Sequence, residues 1–170
     1  MRLTIAIGLS ALVLQAGAAE ATLAALDLPY QKFDQTPHSG WRLLAQDQKR
    51  FREAAALIDD YLTRHSDLNR FERSTLHWHA LQCLAMGGET AAALKHLASS
   101  RLDPEPPDSP IRWNDYVDAT GAFLNHNRAK LLAARRRMAT SKPDDANLHI
   151  VDSFIAHFNE PYSKAYGEAK

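Results

Sequence analysis

Residues 51–62 read FREAAALIDDYL, and their spacing decides the class of fold. Apolar side chains recur three and four positions apart, at Phe51, Ala54, Ala55, Ile58, Tyr61 and Leu62. The charged residues Arg52, Asp59 and Asp60 fall on the other side of a helix with about 3.6 residues per turn. The stretch is therefore predicted to be an amphipathic helix that packs its apolar face against a core.

Helical spacing continues through the rest of the chain. Residues 71–86 place apolar side chains all round the helix axis, which indicates a helix packed on several sides and ended by Gly87 and Gly88. Further apolar stripes occupy residues 90–99, 113–124, 128–140 and 148–158. No segment alternates with period two for long enough to predict a strand, so the predicted fold class is all-α.

The predicted helices come in pairs that are joined by short turns. The turns fall near residues 48–50, 87–89 and 126–128, a spacing of about 39 residues, which is typical of helical-hairpin solenoids. Residues 103–110 (DPEPPDSP) hold half of the prolines and predict a stiff surface linker between pairs.

Two segments resemble the second helix of a tetratricopeptide (TPR) unit. They are KRFREAAALI at 49–58 and MGGETAAAL at 86–94, in which Ala54 and Ala93 occupy the family's small-residue position. The resemblance covers roughly residues 40–140 and implies a TPR-like solenoid of about three helix pairs plus a C-terminal helix.

Other segments sharpen this resemblance. With FDQTP at 33–37, GWR at 40–42 and WNDYVDA at 113–119, the chain is similar to a group of uncharacterised exported bacterial TPR-like proteins. The TPR resemblance implies a module that binds peptides or protein partners in a concave groove, an analogy from fold alone.

The N-terminus has the three-part pattern of a secretory signal peptide. Met1 and Arg2 give a positive start, residues 3–14 (LTIAIGLSALVL) are uncharged and apolar, and Ala16-Gly17-Ala18 offers a cleavage site. The apolar run is too short to span a bilayer. We expect a signal peptide at 1–18, with cleavage after Ala21 as the second choice, and a periplasmic or secreted bacterial protein.

Three further segments follow the predicted signal peptide. Residues 19–40 are expected to be an extended lead-in, residues 41–160 the TPR-like helical domain, and residues 161–170 a C-terminal tail. The two tyrosines of the tail are expected to fold back onto the helices. No later segment is predicted to cross a membrane.

Composition excludes several classes of function. Lys+Arg 20 balance Asp+Glu 20, and this formal net charge of +0 argues against a general nucleic-acid binder. The single cysteine, Cys83, excludes an intramolecular disulfide and any site built from several thiolates. Nucleophilic serine patterns, phosphate loops and dinucleotide fingerprints are absent, and we expect no cofactor and no catalytic activity.

Histidine is the enriched reactive residue type, with His 8. His79 and Cys83 lie four positions apart on one helix face and would supply half of a zinc site, with His96 the nearest further candidate. The alternative, which we favour, is a thiol and an imidazole packed between helices. We therefore expect no metal ligand.

Residues 119–143 contain no acid but carry a basic tract, Arg128, Lys130, Arg135, Arg136 and Arg137. Such a tract would dock an acidic partner or anionic lipid head groups. Its charges spread around the helix axis, however, and those near the C-terminus are favoured by the helix dipole. A solvated helix end is the preferred interpretation.

The resulting hypothesis is an exported interaction or scaffold module. A groove on such an array should be lined by first-helix residues, and the polar candidates for partner binding are Arg73, His77, Asn114 and Asp118. The alternatives are an accessory subunit of a cell-envelope assembly, or a small-ligand or metal-binding protein. The oligomeric state stays open. Trp41, Trp78 and Trp113 are interpreted as packing residues rather than a ligand platform.

Overall fold

The structure of the protein, a computed structural model, describes residues 23–169. The predicted signal peptide lies outside this range. Within it the fold is all-α and contains no strand. The helices are α1 Gly40–Arg42, α2 Phe51–Arg64, α3 Arg70–Met86, α4 Thr90–Ala93, α5 Trp113–Leu124, α6 Arg128–Ser141, α7 Leu148–Ala156 and α8 Tyr162–Gly167. π-Helical turns at Gln31–Gln35 and Leu43–Asp47 precede and extend α1, and a 3-10 turn at Leu94–His96 extends α4.

Three tight turns set the helix-pair order, and each contains one residue in the left-handed backbone region. These residues are Lys49, Gly88 and His126, which are 39 and 38 residues apart. After α3, the Glu89 amide donates to the Leu84 carbonyl; after α5, the Asn127 amide donates to the Ala122 carbonyl, both at 2.8 Å. Both bonds have the form of the Schellman motif that ends helices. The predicted turn spacing is therefore confirmed.

Helix α3 lies in the middle of the fold, as its all-round apolar pattern predicts. It packs on α2, contacts α4 and is reached by the C-terminal helix α8. Leu76, Ala80 and Leu81 are completely buried. The α5–α6 pair packs together and is extended by α7. No helix of the described range is both long and apolar enough to cross a membrane.

Close helix contacts require small side chains at particular positions. Ala54 and Ala93, the two small residues singled out in the sequence, are both completely buried. The space beside Gly121 on α5 is smaller still, because a Cβ atom at this position would lie 2.5 Å from the Leu97 Cδ2 atom. This contact joins α5 to the segment that follows α4.

Two segments differ from expectation. Residues 23–40, expected to be an extended lead-in, contain helical turns, because the Phe33 ring stacks on Tyr61 at 3.7 Å and pulls the segment into the core. The helix expected at 90–99 ends early, with α4 and its 3-10 extension covering only 90–96. There the Ser100 carbonyl accepts hydrogen bonds from the Ser74 hydroxyl and the Trp113 indole, each at 2.7 Å, which fixes the chain in turns.

The C-terminal tyrosines fold back onto the array. Tyr162 is buried beside Phe123 and Phe154, and its ring stacks on Tyr166 at 5.4 Å. This packing brings α8 against α3 and closes one side of the cavities described below.

Candidate functional site

The site is built around a carboxylate that the N-terminal segment inserts into the core. Asp34 is completely buried. It accepts hydrogen bonds from the Trp41 Nε1 atom at 2.8 Å and from the His79 Nδ1 atom at 2.7 Å. The Arg42 Nε atom donates to the Asp34 backbone carbonyl at 2.5 Å. One carboxylate therefore ties the π-helical turn at Gln31–Gln35 to α1 and α3.

Gly40 makes this arrangement possible. Its φ of +52° belongs to the left-handed region, and a Cβ atom at this position would lie 2.1 Å from the Phe33 carbonyl oxygen. Only glycine allows α1 to approach the preceding turn so closely. The close approach is what places Trp41 and Arg42 next to Asp34.

The Asp34 carboxylate stays ionised despite its burial. Burial disfavours the charged form, but hydrogen bonds from His79 and Trp41 and the positive charges of His79 and Arg42 outweigh it and lower the pKa of Asp34. An ionised carboxylate can only accept, so the His79 Nδ1 atom must carry the proton of that hydrogen bond. The Nε2 atom is then the nitrogen turned away from Asp34.

A groove of about 710 Å³ opens beside this cluster. Its walls come from the N-terminal segment, from α3 and α5, and from residues in and next to α7 and α8. Helices α3 and α5 are each the first helix of a pair. Its aromatic lining consists of Tyr30, Phe71, Trp78, Trp113, Tyr116 and Tyr166. Its uncharged polar lining consists of Gln31, Gln35, Thr75, Gln82, Ser109 and Asn147.

The electrostatic character of this groove is one-sided. Arg42 and His79 line it, and no carboxylate is among the described lining residues. Three of the lining rings pack together, since the Trp78 ring centroid lies 4.9 Å from that of Tyr116 and 5.3 Å from that of Trp113. Phe71 also lines the groove, and this large apolar side chain is 60% exposed. Aromatic side chains in this position favour ligand contact.

A second cavity, of about 500 Å³, adjoins the groove. The two share Arg42, His79, Gln82 and Tyr166. The second cavity alone is lined by Trp41, Gln46, Lys49, Phe51, Cys83, Met86 and Tyr162, together with Ala45. Burial raises the pKa of the Cys83 thiol to about 12, so this residue is no nucleophile at neutral pH.

The four residues predicted to bind a partner do not line this groove. Arg73 donates to the His65 carbonyl at 2.9 Å, and the Nδ1 atom of His77 lies 3.1 Å from that of His96. Asn114 bonds the backbone of Leu102 through both its side-chain oxygen and its side-chain nitrogen. Their role in partner binding stays a prediction.

Asp118 and Asn114 come together elsewhere. They line a charged depression between α5 and α6 together with Arg136 and Arg137. Asp118 accepts from Arg101 at 2.5 Å and from Arg137 at 3.0 Å. Two of the predicted partner-binding residues thus lie beside two members of the basic tract.

Most of the basic tract is engaged within the fold. Arg135 pairs with Asp152 at 2.8 Å, and Arg137 pairs with Asp115 at 2.6 Å. Arg128 lies over the Phe158 ring at 5.3 Å. Lys130 and Arg136 form no ion pair among residues 23–169, and both side chains are exposed. The tract therefore does not present one continuous charged face.

The three candidate zinc ligands are separated. His79 bonds Asp34, whereas His96 lies beside His77. His79 and Cys83 do face the same second cavity. In residues 23–169 no group of three or more His, Cys, Asp or Glu side chains has an arrangement that would hold a metal ion.

The sequence pattern does not identify several of the residues that form this site. Asp34, Arg42 and Tyr162 lie in segments without helical periodicity or in the tail, and nothing in their spacing marks them as neighbours. The nearest signal is the pair of segments FDQTP and GWR, which the resemblance to exported proteins singled out. Comparison of the chain with protein-family models, with curated proteins and with solved structures finds no match.

Proposed function

We propose that the protein is an exported, TPR-like interaction module that binds an extended segment of a partner protein in the groove, without catalysis of its own. The observation that carries this proposal is the groove's lining, which combines aromatic and amide side chains and includes no carboxylate among the described residues. The paired helices and their turns about 38 or 39 residues apart support the TPR-like part of it.

A peptide fits this lining chemically. Each peptide unit offers one donor and one acceptor, and the side-chain amides of Gln31, Gln35 and Asn147 offer both as well. The rings of Phe71 and Trp113 provide surfaces for apolar side chains of the bound segment, and the buried Trp78 ring supports Trp113 from below. Recognition of a partner by aromatic anchors and backbone-directed amides is the expected mode.

Non-catalytic binding also agrees with the chemistry of the cluster. His79 is held by a buried carboxylate, but neither a serine hydroxyl nor the Cys83 thiol is hydrogen-bonded to His79 within residues 23–169. A catalytic nucleophile must lie within hydrogen-bond distance of the base that activates it. An accessory subunit of an envelope assembly would use the same groove for one fixed partner.

Selection from a random peptide library on the purified protein tests the proposal. We expect enrichment of sequences rich in aromatic and aliphatic residues. The Phe71→Ser variant should bind the enriched peptides at least about tenfold more weakly in calorimetric titration, because it removes an exposed anchor. The matched control is Leu43→Ser, since Leu43 is 39% exposed and lines a different depression.

The proposal fails under either of two results. One is that no peptide is enriched on the wild-type protein. The other is that Phe71→Ser binds the enriched peptides as tightly as Leu43→Ser does, which would place the contact outside the groove.

A further inference from the structure

We propose that the second cavity is a separate binding site for a small organic carboxylate with an apolar body. This site goes beyond the proposed peptide groove. Three features of the cavity carry the inference: a buried hydroxyl without a partner, cationic side chains without a facing acid, and walls of aromatic rings.

The buried hydroxyl belongs to Tyr162. Its side chain is 4% exposed and lines the second cavity. No group among the described residues meets hydrogen-bond geometry with its Oη atom, although the Gln82 side chain lies near it. A buried polar atom without a partner is costly and rare in native proteins, so it points to a hydrogen-bonding group of a ligand in the cavity.

That hydroxyl is a donor at every physiological pH. Burial raises the pKa of Tyr162 far above its ordinary value, with a smaller contribution from Tyr166. A neutral O–H group can donate to an acceptor, which an ionised phenolate cannot do. Anionic oxygens accept more strongly than neutral ones.

The charges around the cavity favour an anion. Arg42, Lys49 and His79 line it, and no Asp or Glu side chain does among the described residues. Neither Arg42 nor Lys49 forms an ion pair within residues 23–169. Asp34 is completely buried behind the cavity, accepts hydrogen bonds from His79, Trp41 and Gln35, and acts on the Arg42 charge without a direct ion pair. The remaining guanidinium and ammonium groups are available to a ligand.

The position of Arg42 is fixed before a ligand arrives. Its Nε atom donates to the Asp34 carbonyl at 2.5 Å, and its guanidinium carbon lies 4.4 Å from the Trp41 ring centroid. A guanidinium held in this way binds a planar carboxylate with little loss of side-chain entropy. The terminal nitrogens of Arg42 are the natural partners of the carboxylate oxygens.

The apolar walls set the rest of the ligand. Trp41, Phe51, Met86 and Tyr166 contribute rings and a thioether, and the volume of about 500 Å³ exceeds the need of a bare inorganic anion. An aromatic or branched aliphatic acid would contact these walls with its body and the cationic residues with its carboxylate. Benzoate is therefore a suitable probe.

Calorimetric titration with benzoate, benzamide and inorganic phosphate tests this inference. Benzamide has nearly the shape of benzoate but no charge, and phosphate has charge but no apolar body. We expect benzoate to bind at least about tenfold more tightly than either. Equal binding of benzamide and benzoate, or of phosphate and benzoate, overturns the proposed ligand class, and no detectable benzoate binding overturns the site.

Variants locate the bound probe. Tyr162→Phe keeps the ring and removes the orphan hydroxyl, and Lys49→Gln removes one exposed charge; each should weaken benzoate binding several-fold with an unchanged melting temperature. Lys130→Gln is the control, because Lys130 is exposed and lies outside the second cavity. Benzoate affinity that is the same in all three variants and the wild type overturns the assignment.

The outcome is independent of the peptide proposal. Phe71 lines the groove and not the second cavity, whereas Tyr162 and Lys49 line the second cavity and not the groove. Phe71→Ser should therefore leave benzoate affinity unchanged, and Lys49→Gln should leave peptide affinity unchanged. Failure of one proposal is thus distinguishable from failure of the other.

Discussion

The His79 Nδ1 atom donates to the Asp34 carboxylate at 2.7 Å, across 45 positions of sequence. This contact joins the N-terminal segment to the central helix α3, in a place where the groove and the second cavity meet. It fixes the orientation of the His79 ring, and the buried carboxylate also accepts hydrogen bonds from the Trp41 indole and the Gln35 side-chain amide. Both cavities depend on the segment that it holds.

Asp34→Asn should destabilise the fold strongly. His79 and Trp41 both donate to the Asp34 Oδ1 atom, and the Gln35 side-chain amide donates to Oδ2; asparagine removes the negative charge that faces His79 and Arg42 and replaces one of the two acceptor oxygens by an NH2 donor. We expect the free energy of unfolding, measured by urea titration, to fall by about 2–4 kcal/mol. Asp47→Asn, which removes a surface partner of His38, should cost no more than about 1 kcal/mol. Equal effects of the two substitutions would contradict the structural role of Asp34.

Acidification should weaken the packing of α3 against the segment after α4. Burial and then His96 lower the pKa of His77, Asp59 acts in the opposite direction, and Arg73 lowers it again. With the folded-state pKa below the unfolded value of 6.5, the unfolded chain binds the proton first. The contribution of His77 to stability is therefore unaffected at higher pH and becomes unfavourable as pH falls below about 6.5.

Urea titrations between about pH 7.5 and 5.5 measure this effect. The wild-type protein should lose stability across the range, and His77→Gln should lose less, because the amide does not titrate. An identical pH dependence in the two proteins would show that the His77–His96 contact is not the responsible pair.

Cys83 should resist thiol reagents in the native protein. Its side chain is 3% exposed and its thiol pKa is raised to about 12, so the reactive thiolate is scarce and shielded. Labelling by a disulfide reagent at neutral pH should be slow in buffer and rapid in denaturant. A Cys83→Ser, Phe71→Cys double variant is the control, and it should react rapidly because position 71 is exposed. Rapid labelling of native wild-type protein would refute the packing of Cys83.

Gly121→Ala should destabilise the protein although alanine favours helices. The added Cβ atom would lie 2.5 Å from the Leu97 Cδ2 atom, so the Leu97 side chain must move. We expect a net loss of about 1–3 kcal/mol in the free energy of unfolding. In a Leu97→Ala background the same substitution should be neutral or stabilising, since the clash is gone and helix propensity remains. A double-mutant cycle without coupling would contradict the contact.

The helices and their turns were accessible to sequence analysis because they depend on local spacing. The stripe in residues 51–62 predicts α2, and the turns at Lys49, Gly88 and His126 lie where the pattern places them. Helix α4 was predicted too long, because the contacts that end it come from Ser74 and Trp113, which are distant in sequence.

The site was less accessible because its contacts join segments that are distant in sequence. Asp34 stands in a stretch without helical period and becomes a central acceptor only when α1 and α3 meet it. The basic tract looked unbalanced for the same reason, since its acids, Asp115 and Asp152, belong to α5 and α7. Local composition cannot reveal charges that are paired across helices.

The central claim is that the groove holds a partner segment, and the three tryptophan indoles report on it most directly. Trp78 and Trp113 line the groove, whereas Trp41 lines only the second cavity. In ¹H–¹⁵N NMR spectra, a selected peptide should shift the indole signals of Trp78 and Trp113 and leave that of Trp41 in place. A peptide that binds while the Trp78 and Trp113 signals stay unchanged would contradict the account.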